Sequence, residues 1–227
     1  MASETLAEPR FFVLDDVLAG EYDTKFDPVE PSNLGDAPRC PQCGTLLGML
    51  TWLPPYRVDL EVYGKQPGDF VTGPGGDSFL ISERMAMAFQ AEGLTGLQGF
   101  HPVEISRVRK KRKSSRPVSV PRYLEVIACF GRAYLDEKRS LLRYAEARTC
   151  DECRSADLDT IHGFTLKPES WRGEDVFRAR GLPGVLIGSE RFAAFVARHE
   201  LKNIKLIPTE EYVWDPRRLG PPNSSVT

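Results

Sequence analysis

Leu80-Ile81-Ser82-Glu83-Arg84-Met85 and Ile187-Gly188-Ser189-Glu190-Arg191-Phe192 are one pattern written twice, with Ser82 and Ser189 separated by 107 residues. In each copy a serine can cap a helix and a glutamate follows in its first turn, where negative charge suits the helix N-terminus. Met85, Ala88 and Phe89 then recur at the spacing of one buried helical face, as do Phe192, Phe195, Val196 and His199. Downstream, Leu94 falls opposite Leu201 and Leu97 opposite Ile204; upstream, Gly68-Asp69-Phe70 falls opposite Glu174-Asp175-Val176 at an offset of 106. Two cysteine pairs keep the same order, Cys40-Pro41-Gln42-Cys43-Gly44 and Cys150-Asp151-Glu152-Cys153-Arg154, at an offset of 110. A shared order at nearly constant offset predicts an α+β fold made of two degenerate copies of a small α/β unit. A pseudo-twofold axis would relate the copies, and a four-cysteine zinc site would join them. On this reading residues 1–106 form the N-terminal unit with the first knuckle and 107–121 a basic linker or loop. Residues 122–215 form the C-terminal unit with the second knuckle, and 216–227 a flexible tail.

Strand signals fill the space around these motifs. Phe11 to Leu14 and Tyr123 to Phe130 are apolar runs of strand length. Val58 to Tyr63 alternates with the strand period until its last residue, and Ile204 to Ile207 reads as a final strand. Leu97 to Ile105 reads as extended, and residues 20–39, rich in Gly, Pro, Asp and Asn, read as an irregular connection. The 227 residues, 41% of them hydrophobic, suffice for a sizeable core. Thirty Lys and Arg against 32 Asp and Glu give no bulk field toward nucleic acid or membrane. The opening MASETLAEPRFFVLDDV does not read as a secretory signal, and no run approaches the ~20 apolar residues of a membrane span. A cytoplasmic location with no membrane partner is the expectation.

In a reducing compartment, CxxC pairs bind metal or do redox chemistry more often than they form static disulfides. Cys40, Cys43, Cys150 and Cys153 supply the four thiolates of a closed tetrahedral zinc site, which leaves no open position for water or substrate. A structural Zn²⁺ is therefore the expected cofactor. The competing reading is a redox dithiol. It is weakened because Pro41 lies between the first two cysteines and no strong amphipathic helix follows Cys43. Gly44 allows the backbone to turn at the first knuckle, whereas Arg154 in its place must avoid positive φ or accept strain. Cys129, inside Val126-Ile127-Ala128-Cys129-Phe130, reads as buried filler.

Arg107-Val108-Arg109-Lys110-Lys111-Arg112-Lys113-Ser114-Ser115-Arg116 carries seven positive charges and no acid. It reads as a solvated loop, an acidic-partner contact or a nucleic-acid contact. No aromatic residue interleaves it as a stacking platform. Catalytic constellations are thin. His101, His162 and His199 fall in no recognisable metal motif, and no GxSxG, P-loop or dinucleotide fingerprint occurs. Asp69 and Asp175 could pair across the axis, although loop or cap roles fit them better.

The two CxxC pairs, the first followed by Gly44, resemble those of the myxobacterial double-CXXCG motif protein family. So do Trp171-Arg172-Gly173-Glu174-Asp175-Val176-Phe177, Gly181-Leu182-Pro183-Gly184 and Ser189-Glu190-Arg191-Phe192. The likeness covers roughly residues 10–215, and Arg154 departs from it. What the resemblance implies is a cytoplasmic, non-catalytic immunity protein that binds and neutralises one cognate, contact-delivered, swarming-inhibition toxin. It assigns no catalytic residue. Two alternatives are carried: a nucleic-acid-associated zinc-binding protein using residues 107–116, and a hydrolase using Asp69, Asp175 or His162 in a cleft between the repeats.

Overall fold

Tyr123 to Tyr134 forms one long strand, and it organises the rest of the molecule. The computed structural model describes residues 8–76, 78–111 and 119–222. The first part of the chain runs β1 (Phe11–Asp15), β2 (Thr24–Pro28), β3 (Asn33–Leu34), β4 (Trp52–Leu53), β5 (Arg57–Val62), β6 (Phe70–Thr72), β7 (Phe79–Ser82) and α1 (Glu83–Ala91). It continues through β8 (Leu97–Pro102), β9 (Glu104–Lys110), β10 (Tyr123–Tyr134), β11 (Leu142–Tyr144) and β12 (Leu158–His162). The last part is β13 (Val176–Arg180), β14 (Leu182–Ser189), α2 (Glu190–Arg198), β15 (Lys205–Pro208) and β16 (Val213–Trp214). The fold is thus mixed and strand-rich, with two α-helices among the described residues. None of the helices is long and apolar enough to cross a membrane.

Eleven strands form the main sheet, in the order β15–β1–β14–β13–β10–β7–β6–β2–β5–β9, with β8 also paired to β10. The first part of β10 lies antiparallel to β7, with Tyr123 opposite Ser82; its second part lies parallel to β13, with Cys129 opposite Phe177. The β1–β2 segment makes the matching pair of contacts. β1 lies antiparallel to β14, with Phe11 opposite Ser189, and β2 lies parallel to β6, with Lys25 opposite Thr72. Hydrogen bonding therefore runs across the expected boundary between units: β1 pairs with strands of the 122–215 segment, and β10 with strands of the 1–106 segment. β1 and β2 are joined by residues 16–23, so a covalent connection completes the circuit β1–β14–β13–β10–β7–β6–β2.

Both helices pack into one apolar cluster with residues from each half, among them Leu14, Phe70, Ile81, Met85, Phe89, Val126, Val176, Leu186, Phe192 and Phe195. Phe89 meets Phe195 edge to face at 6.1 Å. Each such ring contributes roughly 1.5–3 kcal/mol on full burial, so this shared core couples the halves strongly. Two further clusters form around Phe11, Phe164 and Phe177, and around Phe26, Leu60 and Tyr123.

The basic linker expected at 107–121 begins differently. Residues 107–110 belong to β9, which lies parallel to β5 at the end of the sheet. The extended backbone sets Arg109 beside Asp59 and Glu61, and Lys111 is 2.7 Å from Glu61. These carboxylates of β5 offset part of the basic run and let it enter the sheet. Residues 112–116 of the run, and 223–227 of the expected tail, lie outside the described residues.

Glu125 is the anomaly of β10. It lies opposite Leu80 and His101, is only 6% exposed, and its buried Oε2 has no hydrogen-bond partner among the described residues. Burial pushes its carboxyl up from 4.5 to about 7. The unfolded chain ionises first, so between those two values stability falls as pH rises. Glu125→Gln is therefore expected to leave stability at pH 4 nearly unchanged and to raise it by about 1–2 kcal/mol at pH 8. Urea unfolding at the two pH values checks this, and an equal effect at both would refute it.

Candidate metal centre

The two knuckles are separate loops that reach one point. The first turns at residues 40–44 after an isolated bridge between Arg39 and Leu46, and Arg39 donates to the Gly44 carbonyl at 3.0 Å. The second lies between β11 and β12 and is held to β13 by Arg180. Its guanidinium donates to the Glu152 carbonyl at 2.9 Å and pairs with the Glu152 carboxylate at 2.8 Å. Both loops close the same turn: the Gly44 N–H donates to the Cys40 carbonyl at 2.9 Å, and the Arg154 N–H to the Cys150 carbonyl at 3.0 Å.

All four sulfurs lie within 4.8 Å of one another. Cys40 Sγ is 3.9 Å from Cys150 Sγ, and Cys43 Sγ is 3.7 Å from Cys153 Sγ. Four thiolates at about 2.3 Å from a tetrahedral ion stand about 3.8 Å apart, so these spacings fit a metal. They are far too long for disulfides, and all the cysteines are free. Cys40, Cys150 and Cys153 are buried beside Leu47, with Phe130 packed against them, while Cys43 is exposed. The Thr45 hydroxyl and backbone N–H hold the Cys43 thiol down to about 6. The N–H groups of Cys153 and Glu152 favour the Cys150 thiolate. Burial and hydrogen bonding with the neighbouring Cys43 and Cys153 sulfurs outweigh them and push it up to about 11. A cation at the centre would reverse that balance, because coordination deprotonates a thiol outright. Four protein ligands would close the coordination of an ion bound here, and such a centre would hold the two loops together.

No protein-family model matches this chain, and no curated protein matches it. What the site can do is therefore read from its own residues.

Arg154 takes the second of the two routes open to it. Its φ is +56°, in the left-handed region, as is that of Gly44 at +76°. Its guanidinium carbon lies 3.9 Å from the centroid of the Tyr134 ring, and that contact offsets the backbone strain. Arg154→Gly relieves the strain and gives up the stacking, each of order 1 kcal/mol. The expected result is full metal content and a stability change below about 1 kcal/mol. Loss of the metal in this variant would show that Arg154 acts on the centre itself.

The other singled-out residues go elsewhere. Asp69 accepts from Ser82 Oγ at 2.6 Å, from Arg84 Nε at 2.7 Å and from the Lys202 N–H at 2.7 Å. Asp175 accepts from Ser189 Oγ at 3.0 Å, from Arg191 at 2.8 Å and from the Thr95 N–H at 2.9 Å. Ser82 and Ser189 cap their helices as the pattern requires. Arg84 then reaches the His199 and Glu200 carbonyls at the end of α2, and Arg191 reaches those of Glu92 and Gly93 at the end of α1. Each helix start is thus tied to the other helix's end, where unpaired carbonyls welcome a cation. The arginines of the paired pattern carry this cross-link, and their role was invisible until the partner carbonyls were placed. His162 lies 3.3 Å from Asp215 and His199 lies 2.5 Å from Glu92, while His101 stacks on Tyr56. Cys129 is half-buried rather than buried; it sits on β10 where the neighbouring strand changes from β8 to β13.

Proposed function

We propose that this chain is a non-catalytic immunity protein of the double-CXXCG type, which binds and neutralises a cognate contact-delivered toxin in the cytoplasm. In this reading, two degenerate copies of one α/β unit, residues 1–106 and 122–215, exchange β1 and β10 about a pseudo-twofold axis. A structural Zn²⁺ bound by Cys40, Cys43, Cys150 and Cys153 clasps them. The matched Asp–Ser–Arg cross-links at both helix starts support the duplication.

The observation that carries the binding role is the closed four-thiolate centre. It has no position for substrate, in a chain whose motifs resemble that family from residue 10 to 215. Exposed Leu46, Met49 and Leu50 just after the first knuckle add apolar surface suited to a protein partner. The nucleic-acid alternative loses ground because Arg109 and Lys111 already face Asp59 and Glu61. The hydrolase alternative loses ground because Asp69 and Asp175 are each taken up in a separate helix cap. The test is co-purification with the product of the adjacent gene, with zinc measured on the same sample. A stoichiometric complex is expected. Failure to capture that product would reject the immunity role.

A further inference from the structure

Where residues 16–23 leave the sheet, β1 and β2 part, and a cleft of about 600 Å³ opens at the seam. In the other half β10 runs unbroken through twelve residues, so the opening belongs to one side of the molecule. The Lys25 ammonium sits in it, 2.7 Å from both Asp16 Oδ2 and Thr72 Oγ1. Buried Asp16 therefore already has its cation. Asp15 and Asp27, both exposed, line the same cleft and have no salt-bridge partner among the described residues. Tyr63, Tyr212 and Trp214 supply aromatic walls. Burial, and then the charge of Asp15, push the Tyr212 hydroxyl up, so it remains a neutral donor or acceptor.

This lining selects against anions, and its carboxylates would be wasted on an apolar ligand. An organic cation uses the exposed carboxylates and the rings, because aromatic faces attract cations and carboxylates pair with them, while Lys25 stays with Asp16 and Thr72. A guanidinium fits best: it is planar, it stacks on a ring, and it is less strongly hydrated than an ammonium. The volume is that of a ligand site. We propose that the cleft receives an arginine side chain presented by a protein partner. The identity of the partner rests on the toxin-binding reading; the cleft's chemistry does not.

The test uses the full chain, following the Trp214 indole N–H by NMR. The probes are a blocked pentapeptide with one central arginine, its citrulline counterpart, and agmatine as a free cation. The arginine peptide is expected to shift the Trp214 signal and to bind at least about tenfold more tightly than the neutral citrulline peptide. Asp15→Asn with Asp27→Asn, both at exposed positions, should weaken it by about tenfold, and Trp214→Ala should weaken it also, read from the Tyr212 signals. Glu146→Gln, outside the cleft, should change nothing. Equal binding of citrulline, or unchanged affinity in the double variant, would overturn the proposal. Tighter binding of agmatine than of the peptide would reject the protein source in favour of a free cation. Capture of the adjacent gene's product by a chain that ignores the arginine peptide would sink this cleft assignment alone and leave the toxin reading standing.

Discussion

Replacing Cys150 by serine is expected to cost the protein its metal and about 3–5 kcal/mol of stability. The reason lies in how little else joins the two knuckles. Their own cluster consists of Cys40, Leu47, Cys150 and Cys153 with Phe130 against it, and no disulfide supplements it. Structural zinc contributes roughly 10–16 kcal/mol in peptides that have no other core. Here the large sheet and the shared helix cluster have a core of their own, so the expected loss is smaller and concentrated in the knuckle loops. Serine removes one of four thiolates and leaves a centre that cannot close. Metal content per chain, thermal melting with and without a chelator, and limited proteolysis provide the check. The variant should melt lower and be cut in residues 29–53 and 145–157, while Cys129→Ser keeps its metal. A wild-type chain with all five thiols free, no bound metal and a melting curve indifferent to chelator would refute the metal centre.

Asp175→Ala should be nearly as damaging, at about 3–5 kcal/mol, because it strands buried partners as well as removing a charge. Asp175 is 1% exposed, and its two oxygens serve the Ser189 hydroxyl, the Thr95 N–H and Arg191. Without it the α2 cap loses its anchor, and Arg191 loses the carboxylate that aims it at the end of α1. Asp175→Asn keeps the shape and should recover part of the loss, since its amide still accepts one or two of these bonds. The counterpart Asp69→Ala removes an equivalent set of acceptors and should fall in the same range. Equilibrium unfolding in urea measures all three. A loss below about 1 kcal/mol for both alanine variants would mean that the cross-links between helices carry little of the fold.

Much of this was legible beforehand for local reasons. Ser82 and Ser189 could be recognised as caps because the geometry of a helix start is set by a few neighbouring residues, and Met85, Phe89, Phe192 and Phe195 kept their helical face. The four cysteines announced a centre because thiolate chemistry and CxxC spacing are short-range properties. Residues 107–110 read as a linker because of their charge; their pairing with β5, where Asp59 and Glu61 meet Arg109, makes them a strand. Arg154 could be marked as a departure, but its compensation by Tyr134 depends on a residue twenty positions earlier in the chain.

The sequence by itself determined where two helices start, which cysteines can share a cation, and that the chain repeats an order of motifs. Those are statements about neighbours along the chain, where a handful of dihedrals and side chains decides. Only the tertiary structure decided that β1 pairs with β14 and β10 with β7, that Arg84 and Arg191 each close the other helix, and that a cleft opens between β1 and β2. The physical reason is that any extended apolar segment can pair with many others. Which one it meets is settled by simultaneous burial of residues from Leu14 to Phe195 in one core, a condition that no local stretch contains.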